Sequence, residues 1–465
     1  LLRSCPDVSK IFIMMRSKKN KSASTRLDEI FKSPLFSRVK KEMPNFREKI
    51  VPVVGELYEA DLGFTKGDTD LLTHEISIIF HLGASIRFNN DIKSATTLNV
   101  VATRAMLNLA KRMPNLKSFI YVSTAYANCQ VKHVEERVYK YLINPEELIT
   151  LVQTSSENMI NETLSGIISQ WPNSYTFTKA MAEMVVKVNG ERLPIGIFRP
   201  SIVTNVAHEP LVGWGDNYYT MMGFIAPISK GLLRFVMCNS DCNASVVPVD
   251  ITINALIASA WDVFNQPQRR GDKMLIYNNV STNDAPLTYG DFFFYSQISC
   301  QKYPIKSCYW MPTLTTIRNK VIFAICIWFG HLLPALIIDT FGRCIGIRQR
   351  MWKSYKQIHD FCKAVEYFTV REWTFTDNNI HAIWQSMSES DQLLFNFNMK
   401  GFNWPQYWDN TVKGVHHYLL KEDLSTLEAS RIKSKRLYWI HYATKFAFIL
   451  IVVVFTCNLL ANIFL

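Results

Sequence analysis

Tyr175-Thr176-Phe177-Thr178-Lys179, read together with Val122-Ser123-Thr124 upstream, decides the fold. Side chains four apart on a helix share a face, so Lys179 is expected beside Tyr175. A free tyrosine titrates near pH ~10, and a cation alongside lowers that value by favouring the phenolate. The pairing predicts a phenol that gives or takes a proton near neutrality. Thr124, delivered at the end of a strand, would hold a carbonyl oxygen against it. Together these groups suit hydride transfer to or from a carbonyl carbon. The Tyr-x-x-x-Lys spacing also occurs on ordinary helix surfaces, so its surroundings must decide.

Working outward, strand-like apolar runs recur at 11–15, 50–54, 76–81, 119–122, 195–198 and 274–277, with helical patterns at 95–112 and 176–188. Short apolar strands alternating with helices predict an α/β fold with a doubly wound, Rossmann-like parallel sheet. Ligands of such sheets bind beyond the carboxyl ends of the strands. Thr124 directly follows a strand and Tyr175 opens a helix, so both fall where a site is expected.

Such a sheet ordinarily begins strand, glycine-rich turn, helix, with the pyrophosphate at the helix N-terminus. No glycine cluster precedes Ile11, and the strand at 11–15 reads as the second strand, with the first βα unit missing from the sequence. Arg16, Lys18, Lys19 and Lys21 follow that strand. An acidic residue there would bind a ribose 2′-hydroxyl, whereas arginine accommodates a 2′-phosphate. The expected cofactor is therefore NADPH, the alternative being a solvated basic turn. Asp61 is placed to meet the adenine, and Gly83-Ala84 to let a strand end approach the dinucleotide closely.

Several stretches together resemble the fatty acyl-CoA reductases, the insect members above all, within the extended short-chain dehydrogenase/reductases. They are Leu1-Leu-Arg-Ser-Cys-Pro-Asp-Val8, Ile11-Phe-Ile-Met-Met-Arg16, Phe80-His-Leu-Gly-Ala-Ser-Ile-Arg-Phe88, Tyr121-Val-Ser-Thr-Ala-Tyr126, Ser174-Tyr-Thr-Phe-Thr-Lys-Ala180, Phe198-Arg-Pro-Ser-Ile-Val203 and Val247-Pro-Val-Asp250. Where the family reads Pro-Gly-Trp-x-Asp-Asn, this sequence has Val212-Gly-Trp-Gly-Asp-Asn217. The resemblance implies reduction of long-chain fatty acyl-CoA to alcohol through a bound aldehyde, with Thr124, Tyr175 and Lys179 catalytic. Thr124 is preferred to Ser123 as the hydroxyl. Lys179 would also hold the nicotinamide ribose. The expected cofactor-binding set is Arg16, Asp61, Leu62, Gly83, Ala84, Tyr175, Lys179, Pro200 and Ile202. Asn99 is either an organiser of the site or a surface or capping residue. Two alternatives stay open: a membrane-associated sterol or aldehyde reductase or dehydrogenase of the same superfamily, and an inactive membrane-bound remnant.

The 465 residues predict about two to three domains. A reductase domain is expected over 1–290, a connecting region over 291–354, a helical domain over 355–422 and a transmembrane helix over 446–465. The net charge of +12 comes with no nucleic-acid motif, so anionic membranes and the phosphates of acyl-CoA and NADPH are the expected partners, not nucleic acid. The ten cysteines show no paired spacing beyond Cys238 and Cys242, and no metal site is expected. Residues 446–465 are uncharged and follow Arg431, Lys433, Lys435, Arg436 and Lys445, which by the positive-inside rule keeps the catalytic part cytosolic, on the endoplasmic reticulum or peroxisome. A second apolar run, 321–338, is interrupted by His331 and Pro334 and flanked by basic residues on both sides, Arg348 among them. That symmetry favours an interfacial or re-entrant segment over a span. The oligomeric state is open between monomer and homo-oligomer.

Overall fold

Apolar, β-branched and aromatic residues fill six short parallel strands, a composition suited to a pleated, buried surface. They are β1 (Ile11–Met15), β2 (Ile50–Val54), β3 (Ile78–His81), β4 (Ser118–Val122), β5 (Ile195–Pro200) and β6 (Leu275–Asn279). The computed structural model describes residues 1–18, 21–219, 221–266, 274–346, 350–422, 425 and 427–464. Lys19 and Arg348, counted among the basic residues above, lie outside them.

The four strands that carry the site run in the order β6-β5-β4-β3, all parallel, with Ile120 opposite Gly196 and Ile197 opposite Ile276. β1 and β2 pair separately, Ile11 opposite Ile50. Among the described residues no ladder joins the two groups. Val53 and Phe12 pack instead with Leu109, Met113 and Ile79. The expected strand at 76–81 starts two residues late because the Ile76 N–H still donates to Leu72 O (3.2 Å), capping the helix Lys66–Glu75.

Period-two alternation sorts the strand residues onto two covered faces. Phe119, Tyr121, Ile195, Ile197 and Ile276 face the helices Ala102–Ala110 and Ser174–Asn189, packing with Leu107, Phe177, Met181 and Val185. Ile120, Phe198, Leu275 and Tyr277 face the helix Val249–Asn265 through Ile251, Ala255 and Val263. Gly196 permits that second contact: a Cβ there would sit 2.8 Å from Val263 Cγ2. The sheet is thus doubly wound, as the sequence predicts.

The helical pattern expected at 95–112 runs as Ile92–Thr96, a π turn over Thr97–Val101, and Ala102–Ala110. Downstream, Trp404, Tyr407, Trp408 and Val412 of 404–414 join the second core beside Phe292, with the Trp408 and Phe292 ring centroids 4.7 Å apart. Thr374–Phe375 pairs with His133–Val134, tying the late part of the chain to the nucleotide-binding half. Among the described residues, two helices are long and apolar enough to cross a membrane: Lys320–Cys344, with mean hydropathy 2.4, and Leu427–Asn458, with mean hydropathy 1.9.

Candidate active site

Asn173 starts the helix that carries Tyr175 and Lys179. Its side chain accepts from the Thr176 N–H (2.9 Å), meeting one of the donors a helix start leaves open. Tyr175 is half-buried in the first turn, and Lys179 lies one turn deeper, 3% exposed. Across from them, β4 ends and Thr124 caps the short turn Ala125–Asn128, its Oγ1 accepting from the Tyr126 N–H (3.3 Å). The Thr124 hydroxyl also lies near enough to the Tyr175 phenol to favour its ionised form. The structure therefore brings together the three residues that the sequence nominated from two distant stretches.

The electrostatics differ from expectation. Lys179 was expected to depress the tyrosine, yet burial pushes the Tyr175 phenol up to about 12, offset only in part by the nearby Thr124 hydroxyl. Lys179 Nζ donates to Val122 O (2.5 Å) and lies 4.5 Å from the centroid of the Tyr121 ring. Burial pushes Lys179 itself down to about 7, opposed by the Glu183 carboxylate. His81, buried beneath, is pushed down to about 3 by burial and then by the Lys179 charge; its Nε2 lies 3.0 Å from Thr103 Oγ1. Desolvation, a tertiary effect, outweighs the helical neighbour.

Asn99 is buried and not a surface residue. It sits in the π turn, 1% exposed. Its Nδ2 donates to Ser85 O (3.1 Å) and to Thr178 Oγ1 (2.9 Å), while its Oδ1 accepts from the Ser85 N–H (2.7 Å). The loop after β3 is thereby clamped to the helix bearing Tyr175. π turns of this kind often mark functional sites.

Sequence reasoning missed the layer behind Lys179. Arg199 donates from Nε and Nη2 to Glu183 Oε1 (2.8 Å) and Oε2 (2.7 Å), with both side chains almost fully buried. Arg199 also donates to the carbonyls of Glu135 and Arg137. The overlooked signal is that Tyr175, Lys179 and Glu183 follow one another at intervals of four. Phe88, stacked on Tyr175 with centroids 5.8 Å apart, and Phe368, 6.0 Å from Phe88, were missed as well.

The expected cofactor residues ring the carboxyl ends of the strands. Arg16 follows β1, exposed, and among the described residues its guanidinium makes a long ion pair to Glu56 (3.8 Å). Asp61 and Leu62 adopt left-handed backbone conformations (φ 47° and 63°), strained for residues other than glycine and held by Glu56 N–H donating to Leu62 O (2.8 Å). Gly83 and Ala84 leave β3, Pro200 closes β5 and Ile202 follows it, half-buried. Beside them, Ser123 Oγ, Ser201 Oγ and Asn279 Oδ1 are buried without a hydrogen-bond partner at the ends of β4, β5 and β6. Orphaned polar atoms and an open arginine at three strand ends and the β1 turn fit a polar, phosphate-bearing dinucleotide. Cys238 and Cys242 are buried thiols, and among the described residues no cluster suited to a metal ion is present.

Comparison with known proteins agrees with this geometry. The NAD-binding family described as "Male sterility protein" matches residues 1–256, and the Sterile family of the same description matches residues 330–422. Fatty acyl-CoA reductase 1 of Xenopus laevis is 34% identical over 95% of this chain and 85% of its own length. Fatty acyl-CoA reductase 2 of Homo sapiens is 35% identical over 97% and 87%. Fatty acyl-CoA reductase wat of Drosophila melanogaster is 33% identical over 94% and 84%. Among solved structures, the terminal R domain of the myxalamid PKS-NRPS pathway superposes with a TM-score of 0.58 at 16% identity, covering 88% of this chain and 85% of that one. The reductase domain of a nonribosomal peptide synthetase from Mycobacterium tuberculosis gives 0.54 at 14% identity, with the same coverage. At those identities the likeness speaks for the fold alone.

Proposed function

The chain belongs to the fatty acyl-CoA reductase family, and on that premise we propose that it reduces long-chain fatty acyl-CoA to fatty alcohol with NADPH, releasing CoA through a bound aldehyde. The observation that carries this reading is the meeting of the Thr124 hydroxyl, at the end of β4, with the Tyr175 phenol, with a buried amine one helical turn behind it. Bound across the strand ends, NADPH supplies the hydride. Arg16 would hold the 2′-phosphate, Asp61 and Leu62 the adenine side, and Gly83, Ala84, Pro200 and Ile202 the walls of the cleft. Lys179 would steady the nicotinamide ribose.

The remaining steps fall to the protein's own groups. Thr124 and Tyr175 hold the thioester carbonyl oxygen. As charge grows on that oxygen, each preorganised donor is worth ~3–4 kcal/mol in the transition state. A phenol held near 12 stays protonated at neutral pH, so Tyr175 serves as the donor. The tetrahedral thiohemiacetal breaks its C–S bond as its hydroxyl proton passes to the departing sulfur, so the oxygen returns to a carbonyl and CoA leaves as the thiol. Tyr175, reprotonated from solvent, then protonates the aldehyde oxygen in the second reduction.

The localisation belongs to the same proposal. The 446–465 segment crosses the membrane and the catalytic body stays cytosolic, on the endoplasmic reticulum or peroxisome. Its support is the basic run Arg431, Lys433, Lys435, Arg436 and Lys445 on the side of the body.

The test is product stoichiometry with a long-chain acyl-CoA. Two NADPH oxidised per CoA released, with alcohol as the product, is the expected result. One NADPH per CoA with accumulating aldehyde, or no CoA release, would overturn it. Protease protection on sealed microsomes tests the topology: shielding of the Tyr175 region until detergent is added would reverse it.

A further inference from the structure

The apolar helix Lys320–Cys344 is 25 residues long, about 37 Å at ~1.5 Å per residue, enough to cross a bilayer. Its inner face contradicts that use. His331, close to its midpoint, is fully buried and accepts from the Arg234 N–H through Nε2 (3.1 Å), while its ring stacks on Tyr355 with centroids 4.9 Å apart. A Cβ at Gly330 would meet the Phe235 ring at 2.3 Å, so the helix touches the body directly. Ala335, one turn further, packs with Leu232, Met351 and Tyr355. Asp339, the only Asp, Glu, Lys or Arg between Lys320 and Arg343, is 7% exposed and accepts from the Met351 (2.9 Å) and Trp352 (3.0 Å) N–H groups at the start of the next helix. Pro334, which interrupts the apolar run, follows a π turn at Trp328–Leu332 that widens the helix there.

The helix and the one that follows it form a hairpin whose two outer ends return to one strand of the body. Before the helix, Thr315–Ile317 pairs with Phe235–Met237. After it, the helix Met351–Thr369 ends with Thr369 Oγ1 donating to Met237 O (3.1 Å) and Thr369 O accepting from the Asn239 N–H (3.0 Å). A crossing would leave the two ends on opposite sides of the bilayer, with the middle in hydrocarbon. Here the middle rests on the body, at Arg234, Phe235 and Leu232.

The outer face is apolar apart from Thr340, and exposed: Ile325 is 53% exposed, Phe329 70%, Leu336 50% and Phe341 66%. Exposed cations flank it at Arg318 and Lys320 on one end and at Arg343, Arg350 and Lys353 on the other. An apolar helix face rimmed by cations complements an anionic lipid surface. The same body also meets the C-terminal helix, where Trp310 Nε1 donates to His441 Nδ1 (3.0 Å).

We propose that the outer face of the Lys320–Cys344 helix lies in the plane of an anionic phospholipid surface, as a second membrane contact of the same body, without crossing the bilayer. This rests on the reading of 446–465 as the anchor. The body is then held at two places, and the helix sinks only to the headgroup boundary, ~5–10 Å deep.

Depth measurement tests it on the full chain, reconstituted in phosphatidylcholine–phosphatidylserine vesicles. A fluorophore is placed at Phe329→Cys, at Phe341→Cys and, as anchor control, at Val454→Cys, with the labelled position confirmed by peptide mass. Cys344 and Cys457 are replaced by Ser, and NADPH-dependent activity verifies folding. Quenching is compared between lipids carrying a nitroxide near the headgroup and at the acyl terminus. The expected result is equal, shallow quenching at 329 and 341 with deep quenching at 454. Deep quenching at 329, which a span would put near the bilayer centre, overturns the proposal. Absence of quenching at 329 and 341 with deep quenching at 454 overturns it alone and leaves the anchor intact. Absence at all three positions defeats the anchor reading, and the proposal with it.

Discussion

The two ends of the candidate site are built differently. Around Tyr175, Lys179 and Thr124, the amine and the groups that support it are buried and engaged with other protein groups, Val122 O, Glu183, Asn99, Ser85 and Arg199 among them, while Ser123 Oγ stays unpaired. Around Arg16 and Asp61, side chains stand in solvent, and the main constraint is a backbone held in a left-handed turn. The buried end must hold its geometry whether or not a ligand is bound, because catalysis needs donors that do not reorganise. The open end needs only to recognise a phosphate, and an exposed guanidinium with a 3.8 Å ion pair gives up little to do so.

Substitutions at the two ends should therefore fail in different ways. Tyr175→Phe should lower kcat/KM for alcohol formation by roughly 10²–10⁴-fold, the usual scale for a general acid, with NADPH affinity nearly unchanged. Retention of near wild-type rate would dismiss Tyr175 as the donor. Glu183→Gln leaves a buried guanidinium without its counter-charge and should cost about 3–5 kcal/mol of stability, read as a lower denaturant midpoint. Arg16→Ala should leave that midpoint unmoved, and an equal loss in both variants would erase the contrast.

The pH dependence probes the buried end again. With Lys179 held near 7, its protonated form is full below that value and lost above it. If the cation is the working form, kcat/KM for reduction should be flat below pH 7 and fall about tenfold per unit above it. Tyr175, held near 12, adds no limb in that range. Lys179→Arg, charged throughout, should remove the limb from whatever activity remains. A limb that persists would place the titrating group elsewhere.

At the open end, Arg16→Ala should weaken NADPH against NADH by about tenfold or more, the size of charge-assisted bonds worth ~1.5–3 kcal/mol. An unchanged kcat/KM ratio would leave Arg16 as a solvated turn residue. The smallest effect is expected at Asp61→Gly, which relieves about 1–2 kcal/mol of left-handed strain and should raise the thermal midpoint while weakening the cofactor. A fall in the midpoint would mean that the Asp61 side chain holds the turn.

What was legible in the sequence follows the same division. The six strands were readable within a residue or two because short apolar runs bounded by turns have few other structures available. Tyr175, Lys179 and Thr124 were readable because their chemistry is tied to local spacing. The position of the Lys179 amine was not, since Val122 O lies 57 positions away and burial, not helical adjacency, sets both titrations. Arg199 gave no sign of pairing with Glu183, because an arginine in a strand is ordinarily assumed to reach solvent. The pairing of His133–Val134 with Thr374–Phe375 was equally silent, two-residue strands being too short to show a period.

That last pairing has a consequence during synthesis. His133 lies 241 positions ahead of Thr374, the partner of its imidazole, and Phe368 and Trp373 cover Tyr126 from the same late segment. At ~5–20 residues per second, a ribosome needs roughly 10–50 s to deliver that segment after His133 has emerged. Throughout that interval the nascent nucleotide-binding half carries an open strand edge and an uncovered aromatic ring beside its future site. Newly made chains should therefore be most vulnerable to aggregation and most dependent on holding chaperones before the helical segment arrives. A stalled or truncated message ending before residue 368 would yield a product arrested in that state.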